Sequence, residues 1–139
     1  MRRLHTAALV VLTLLLAACS AAPSAPVVQV ISDVKTVPLE IDVAAARSLH
    51  SNPEVFFLDV REPSEYDAGH IPGVTLIPVS QVAGRLSEIP KDKQVVVTCR
   101  SGNRSGQVAQ QLRQLGYTNI TNMQGGLNAW QNAGYPVER

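Results

Sequence analysis

Apolar and polar positions along this 139-residue chain fall into short blocks whose period switches between that of a strand and that of a helix. Val55-Phe56-Phe57-Leu58-Asp59-Val60 is a nearly continuous apolar run, the pattern of a strand covered on both faces. Gln94-Val95-Val96-Val97-Thr98 is a β-branched run of the same kind, and Val74-Thr75-Leu76-Ile77 a shorter one. Asn119-Ile120-Thr121-Asn122 reads as an edge strand. Helical spacing separates these runs. Asp42 is placed to cap a helix through His50, with Val43, Ala46 and Leu49 on one face. Pro63-Ser64-Glu65-Tyr66-Asp67 predicts a short helix ended by Gly69, and Ser80 one that runs to about Glu88 and is closed by Pro90. Arg104-Ser105 opens a helical pattern through Leu115 that Gly116 stops; Gly125-Gly126 precedes a last helix carrying Leu127 and Trp130. Such alternation predicts an α/β domain with a mostly parallel sheet. Ligands of such sheets lie beyond the carboxyl ends of the strands, which is where Cys99 falls.

The amino-terminal block is patterned differently. Met1-Arg2-Arg3 is basic, and Ala7 to Ala18 is apolar apart from Thr13, too short a run to span a bilayer comfortably. It predicts a signal peptide over residues 1–18. Leu16-Ala17-Ala18-Cys19 resembles a lipobox, at which bacterial lipoproteins are cut and Cys19 would be lipidated; the alternative is an ordinary signal peptide with Cys19 as a bystander. Ala21-Ala22-Pro23-Ser24-Ala25-Pro26 predicts a flexible tether over residues 19–33, which leaves residues 34–139 for one small domain. Ser20 is no inner-membrane retention signal of the aspartate kind. The expected location is therefore the periplasmic face of an outer membrane, with membrane contact through the lipid only.

Composition adds little beyond exclusions. Loss of Arg2 and Arg3 leaves ten basic against eleven acidic residues, near −1, which is no footprint for nucleic acid. The two cysteines look like a disulfide pair until Cys19 is taken up by lipid. Cys99 is then a single thiol in an oxidising compartment, with no second cysteine to resolve a mixed disulfide, so a redox role ranks low. A monomer is the default expectation.

The candidate chemistry lies in Cys99-Arg100-Ser101-Gly102-Asn103-Arg104. A thiol between a strand and a helix start faces backbone N–H groups and the positive end of a helix dipole, and both favour the nucleophilic thiolate. Attack on a sulfane sulfur such as that of thiosulfate leaves a persulfide, whose terminal sulfur needs N–H donors around it. Ser101, Gly102 and Asn103 have no bulk to block a curled backbone, and Arg100 and Arg104 add positive potential for an anionic donor. Arg104 also has an anchoring role, for which Asp59 is the obvious acid. Cysteine-dependent phosphatases place five residues between cysteine and arginine. Here four separate Cys99 from Arg104, and Ser105 stands at the fifth-gap position. The smaller ring suits one sulfur better than a phosphoryl group.

Three motifs carry a resemblance. Asp59-Val60-Arg61-Glu62, Tyr66 and Gly69-His70-Ile71-Pro72-Gly73 resemble the amino-terminal signature of the rhodanese family; Cys99 to Ser105 resembles its active loop, and Gly125-Gly126-Leu127-Asn128-Ala129-Trp130 its closing motif. The resemblance implies a five-stranded parallel sheet flanked by helices on both faces and sulfurtransferase activity through a Cys99 persulfide. It implies a small anionic sulfur donor, no cofactor, and cyanide in vitro or a thiol or thioredoxin-like protein in vivo as acceptor. Arg100 to Arg104 form the binding loop, with Asp59, Arg61 and Ser105 in support. A basic residue that two-domain members carry near Glu65 is missing. Rhodanese domains also serve as binding modules without turnover, and the retained cysteine weighs against that alternative. The remaining residues read structurally: His70 as a turn-fixer, Asp59 as structural, Arg61 as a loop or rim contact, Trp130 as core and His50 as a surface residue at a helix end. Asp59, Glu62, Glu65 and Asp67 have no compact ligand spacing, so no metal is expected.

Overall fold

The apolar runs become the centre of one parallel sheet. The computed structural model describes residues 37–139; the signal peptide, Cys19 and the tether lie outside the described residues. The elements in chain order are β1 (Glu40–Ile41), α1 (Val43–Leu49), β2 (Val55–Asp59), α2 (Pro63–Ala68), β3 (Thr75–Leu76), α3 (Val79–Val82), a 3-10 turn (Leu86–Glu88), β4 (Gln94–Thr98), α4 (Asn103–Gln114), β5 (Ile120–Met123) and α5 (Gly126–Asn132). The five strands stand in the order β1-β5-β4-β2-β3, every pair parallel.

Side-chain alternation along the two central strands divides the core. Leu58 and Val60, with Val95, Val97 and Cys99, face one side and pack under α3 and α4 with Val82, Val108 and Leu112. Phe57 and Val96 face the other and pack with Ala46, Ile71, Leu127 and Trp130 of the opposite layer. Trp130 is fully buried, and its Nε1 donates to the Pro136 carbonyl at 2.8 Å, so the ring is core and its one polar atom is satisfied. On α4 the buried residues Ser105, Val108, Ala109 and Leu112 recur at helical spacing and press that helix on the sheet.

Three expectations change. Asn119–Asn122 is not an edge: β5 lies between β1 and β4, with Glu40 opposite Asn122 and Ile41 opposite Met123. The two-residue β1, too short to leave a periodic signal, supplies the edge instead. The single helix expected from Ser80 to Glu88 is split, with α3 starting at Val79 and ending before Gly84 and the 3-10 turn following Arg85. His50 does sit at the end of α1, but it is half-buried rather than on the surface. Its Nε2 meets the Pro72 carbonyl at 2.7 Å, and its ring lies against Phe57 and Trp130.

Candidate active site at the carboxyl edge of the sheet

β4 ends at Thr98, directly beside Asp59 at the end of β2, so Cys99 is the first residue past the sheet on its central strand. The chain then curls through Arg100 to Gly102 and enters α4 at Asn103. Gly102 makes this turn with φ +93°, where an L side chain is strained. A Cβ there would also stand 3.0 Å from the Gly125 nitrogen. The outer carbonyls of the loop are taken by the start of α5. Leu127 N donates to the Cys99 carbonyl at 2.8 Å, and Asn128 N to that of Arg100 at 3.0 Å. With its carbonyls turned outward, the loop aims amides inward at the sulfur. This packing requires Gly126, whose φ is +55° and whose added Cβ would lie 2.8 Å from the Arg100 carbonyl atoms. Gly126→Ala is expected to cost roughly 2–4 kcal/mol, the sum of left-handed strain and overpacking. Urea unfolding measures it, and a loss below about 1 kcal/mol would show that α5 can shift freely off the loop.

Cys99 is 1% exposed and is the free thiol among the described residues. Gly102 N donates to its Sγ at 3.1 Å, and the Ser105 Oγ lies 3.4 Å from the same atom. Burial is the largest single influence on the Cys99 thiol and pushes its pKa up. Hydrogen bonds from the Ser105 hydroxyl and from the Ser105, Ser101 and Gly102 amides together outweigh burial, and the pKa falls below that of an ordinary cysteine.

The arginines are placed differently from the sequence expectation. Arg104 is anchored not by Asp59 but by Glu65 of α2, through two parallel bonds of 2.7 Å. Asp59 is taken by Arg61: Nε donates to both carboxylate oxygens at 3.0 and 2.9 Å, and Nη2 to Oδ2 at 2.7 Å. Two residues apart at a strand end, these side chains point the same way, so Asp59 meets Arg61 before any residue of the loop. Arg61 is buried. It spends its remaining donors on the carbonyls of Glu65 and Gly69, so it braces α2 rather than contacting the loop. Arg100 is exposed and makes no side-chain hydrogen bond among the described residues. Ser101 and Asn103 are exposed as well, and Ser105 is buried.

The Arg104 hydrogen bond, acting against burial, holds Glu65 down at about 2; the Glu62 amide and the charges of Arg104 and Arg61 assist. A carboxylate with a depressed pKa stabilises the fold above its unfolded value of 4.5 and loses that contribution as pH falls through about 2. The stability gap between the wild type and Glu65→Gln is therefore constant above about pH 5 and narrows on acidification. A gap unchanged down to about pH 2.5 contradicts the pairing. The gap is modest, because both side chains are about a third exposed.

His70 does not approach the sulfur. Its Nδ1 meets the Tyr66 carbonyl at 3.0 Å, its ring stacks on Tyr66, and its backbone bridges to Glu138. The mouth beside the loop is a shallow cavity of about 240 Å³ between Arg61, Gly69, Arg100, Leu127, Asn128 and Gln131, and a second of about 210 Å³ lies against Ser101, Gly102, Asn103 and Asn122. Two larger cavities, about 430 and 510 Å³, lie elsewhere. One is at the amino ends of the strands among Asn52, Val55 and Asn119, the other beside Leu86 and Tyr117, and no residue of the Cys99 loop lines either. The chemistry of the thiol points to the small cavities that flank its loop.

The roles of Glu65 and Asn122, and the capping of the loop carbonyls by Leu127 N and Asn128 N that Gly126 permits, went unread in the sequence. Asn122 is the only carboxamide among the four residues of β5, a polar oddity in a buried strand that offered a weak signal.

Comparison with known proteins gives concordant results. A family model described as a rhodanese-like domain matches residues 42–133. A sulfurtransferase of Allochromatium vinosum is 40% identical over 99 residues, covering 70% of this chain and 92% of that one. The thiosulfate sulfurtransferase GlpE of Pseudoalteromonas translucida is 31% identical over 93 residues, covering 67% of this chain and 89% of that protein. Among solved structures, a rhodanese-related protein from Thermoplasma volcanium superposes with a TM-score of 0.67 at 35% identity, covering 73% of this chain and 98% of that one.

Proposed function

The chain belongs to the rhodanese-like domain family, and on that premise we propose that it transfers sulfane sulfur from thiosulfate or a similar anionic donor to a thiophilic acceptor through a persulfide on Cys99. The observation that carries this reading is the donor set around Sγ, which holds a buried thiol toward its thiolate with no carboxylate against it.

The thiolate attacks the outer sulfur of thiosulfate; an Sγ–S bond forms, the S–S bond of the donor breaks, and sulfite departs with the bonding pair. Negative charge moves from Sγ to the terminal sulfur, which then sits among the inward amides of the loop, already aimed before the reaction. Arg100, the uncommitted guanidinium at the mouth, guides the anion in. A thiol or cyanide then takes the terminal sulfur and returns the thiolate. Phosphoryl transfer fits less well, since a phosphate cradle needs an arginine facing the ring and Arg104 is turned onto Glu65. The same reading includes export, lipidation at Cys19 and a thiol or thioredoxin-like acceptor outside the cytoplasm, supported by the sequence of residues 1–33.

Intact mass after incubation with thiosulfate tests the proposal. The expected result is a gain of one sulfur atom that cyanide removes as thiocyanate. No gain from thiosulfate or any other sulfane donor, with the thiol reduced and the protein folded, overturns it in favour of a binding module.

A further inference from the structure

Behind Cys99 a buried polar side chain reaches the sulfur through one intermediary. Asn122 is 4% exposed, in a strand whose four residues are all buried. A carboxamide there requires partners. Its Nδ2 lies 3.3 Å from both the Gly102 carbonyl and Glu40 Oε1, two oxygens that only accept, so the amide nitrogen faces them and Oδ1 faces Ser105. The Ser105 Oγ is 2.7 Å from Asn122 Oδ1 and 3.4 Å from Cys99 Sγ. Gly106 makes room for this arrangement, because a Cβ at that position would stand 3.3 Å from Asn122 Nδ2. Glycine inside a helix is unfavourable, so the space comes at the expense of α4.

A serine hydroxyl has one proton, and three acceptors lie within its reach. The Gly102 carbonyl, 3.1 Å away, already accepts from Gly106 N at 3.0 Å and from Asn122 Nδ2, which uses both its lone pairs. Asn122 Oδ1 and Cys99 Sγ are left to compete. We propose that Asn122 is a positioning residue for Cys99, holding the Ser105 proton while the sulfur is uncharged and yielding it to Sγ when the thiolate forms. The proton sharing stands on geometry alone; its consequence for catalysis rests on the sulfur-transfer reading above.

That consequence has a definite sign. In the thiolate the hydroxyl serves Sγ, and the buried Oδ1 is left without a donor, which disfavours this state. In the persulfide the charge has moved one atom outward, Sγ is neutral, and the hydroxyl returns to Asn122. Asn122 thus lifts the thiolate relative to the persulfide and favours loading. It also keeps the thiolate from being overstabilised, and a less stabilised thiolate is the better nucleophile.

The other charged groups around Cys99 are Arg100 in the loop, Arg104 of α4, the Asp59–Arg61 pair after β2, Glu65 of α2 and, beyond Asn122, Glu40 of β1. The test leaves all of them in place. The rate of Cys99 carbamidomethylation is followed against pH in the full chain, by mass of the Cys99 peptide. Asn122→Ala is expected to lower the midpoint by about one unit, and to leave it unmoved when Ser105→Ala is also present. Asn122→Asp, nearly isosteric and a stronger acceptor, is expected to raise it, and to raise it less in the Ser105→Ala background. An Asn122→Ala midpoint that stays or rises, or a shift of equal size with and without Ser105, overturns the proposal and leaves Asn122 a merely structural residue. Should the alanine variant fail to fold, the aspartate pair decides alone by the same comparison. At a fixed thiosulfate-to-sulfite ratio, Asn122→Ala also carries less persulfide. Alkylation needs no sulfur donor. Shifted midpoints without any persulfide would therefore sustain the proton sharing and sink the sulfur-transfer reading.

Discussion

Cys99→Ser is expected to lower the rate of thiocyanate formation from thiosulfate and cyanide by at least about three orders of magnitude, while the fold survives. Serine is close to cysteine in size, and the Gly102 amide that approaches Sγ at 3.1 Å finds an oxygen in its place, so the cradle stays satisfied. What disappears is the nucleophile. A serine hydroxyl stays protonated where the loop draws the thiol toward its thiolate, and an oxygen offers no route to a persulfide. The comparison is made on turnover and on intact mass together. A variant that retains more than about a tenth of the rate shows that sulfur passes by another route, and Cys99 then loses the role proposed for it.

The second large effect falls on stability. Asp59 and Arg61 are 2% and 3% exposed and lie 2.7 Å apart. Asp59→Ala leaves the guanidinium buried with only the Glu65 and Gly69 carbonyls as acceptors. Breaking a buried pair from one side costs about 3–5 kcal/mol, a large share of the roughly 5–15 kcal/mol that holds a domain of this kind together. Replacing both members, as in Asp59→Ala with Arg61→Met, removes the stranded charge and recovers most of the loss. Urea midpoints of the two variants separate these cases. If the single variant loses under about 1 kcal/mol, or the double variant is no better than the single, the pair does not brace α2 as described.

The parts of this fold that were legible in the sequence are those written in local periods. The apolar runs at Val55 and Gln94 became β2 and β4, the Asp42 cap accepts from the Ala45 amide at 2.7 Å, and the loop from Cys99 opens α4 within a residue of the expected start. The unread parts depend on sequence separation. β1 is two residues long, below any periodic signal, and pairs with a strand more than 80 positions away. Nothing local distinguishes an edge β5 from an inner one. The pairing of Arg104 with Glu65 spans 39 positions, and nothing near either residue chooses between Glu65 and Asp59. The pairing of Asp59 with Arg61 also went unread, although side chains two apart on an extended segment share a side; the sequence reading gives Asp59 to Arg104 instead.

The sheet order carries one more consequence, for the timing of reactivity. The second of its five strands is the last one made, and it stands between β1 and β4. Leu127 N and Asn128 N, which turn the loop's carbonyls outward, both come from sequence that follows the nucleophile by more than 20 positions. A chain that has emerged from a ribosome only as far as Cys99 lacks both, and its thiol is an ordinary one. The enhanced acidity belongs to the finished fold. The chain thus acquires its reactive sulfur only as the last strand and helix dock on the loop.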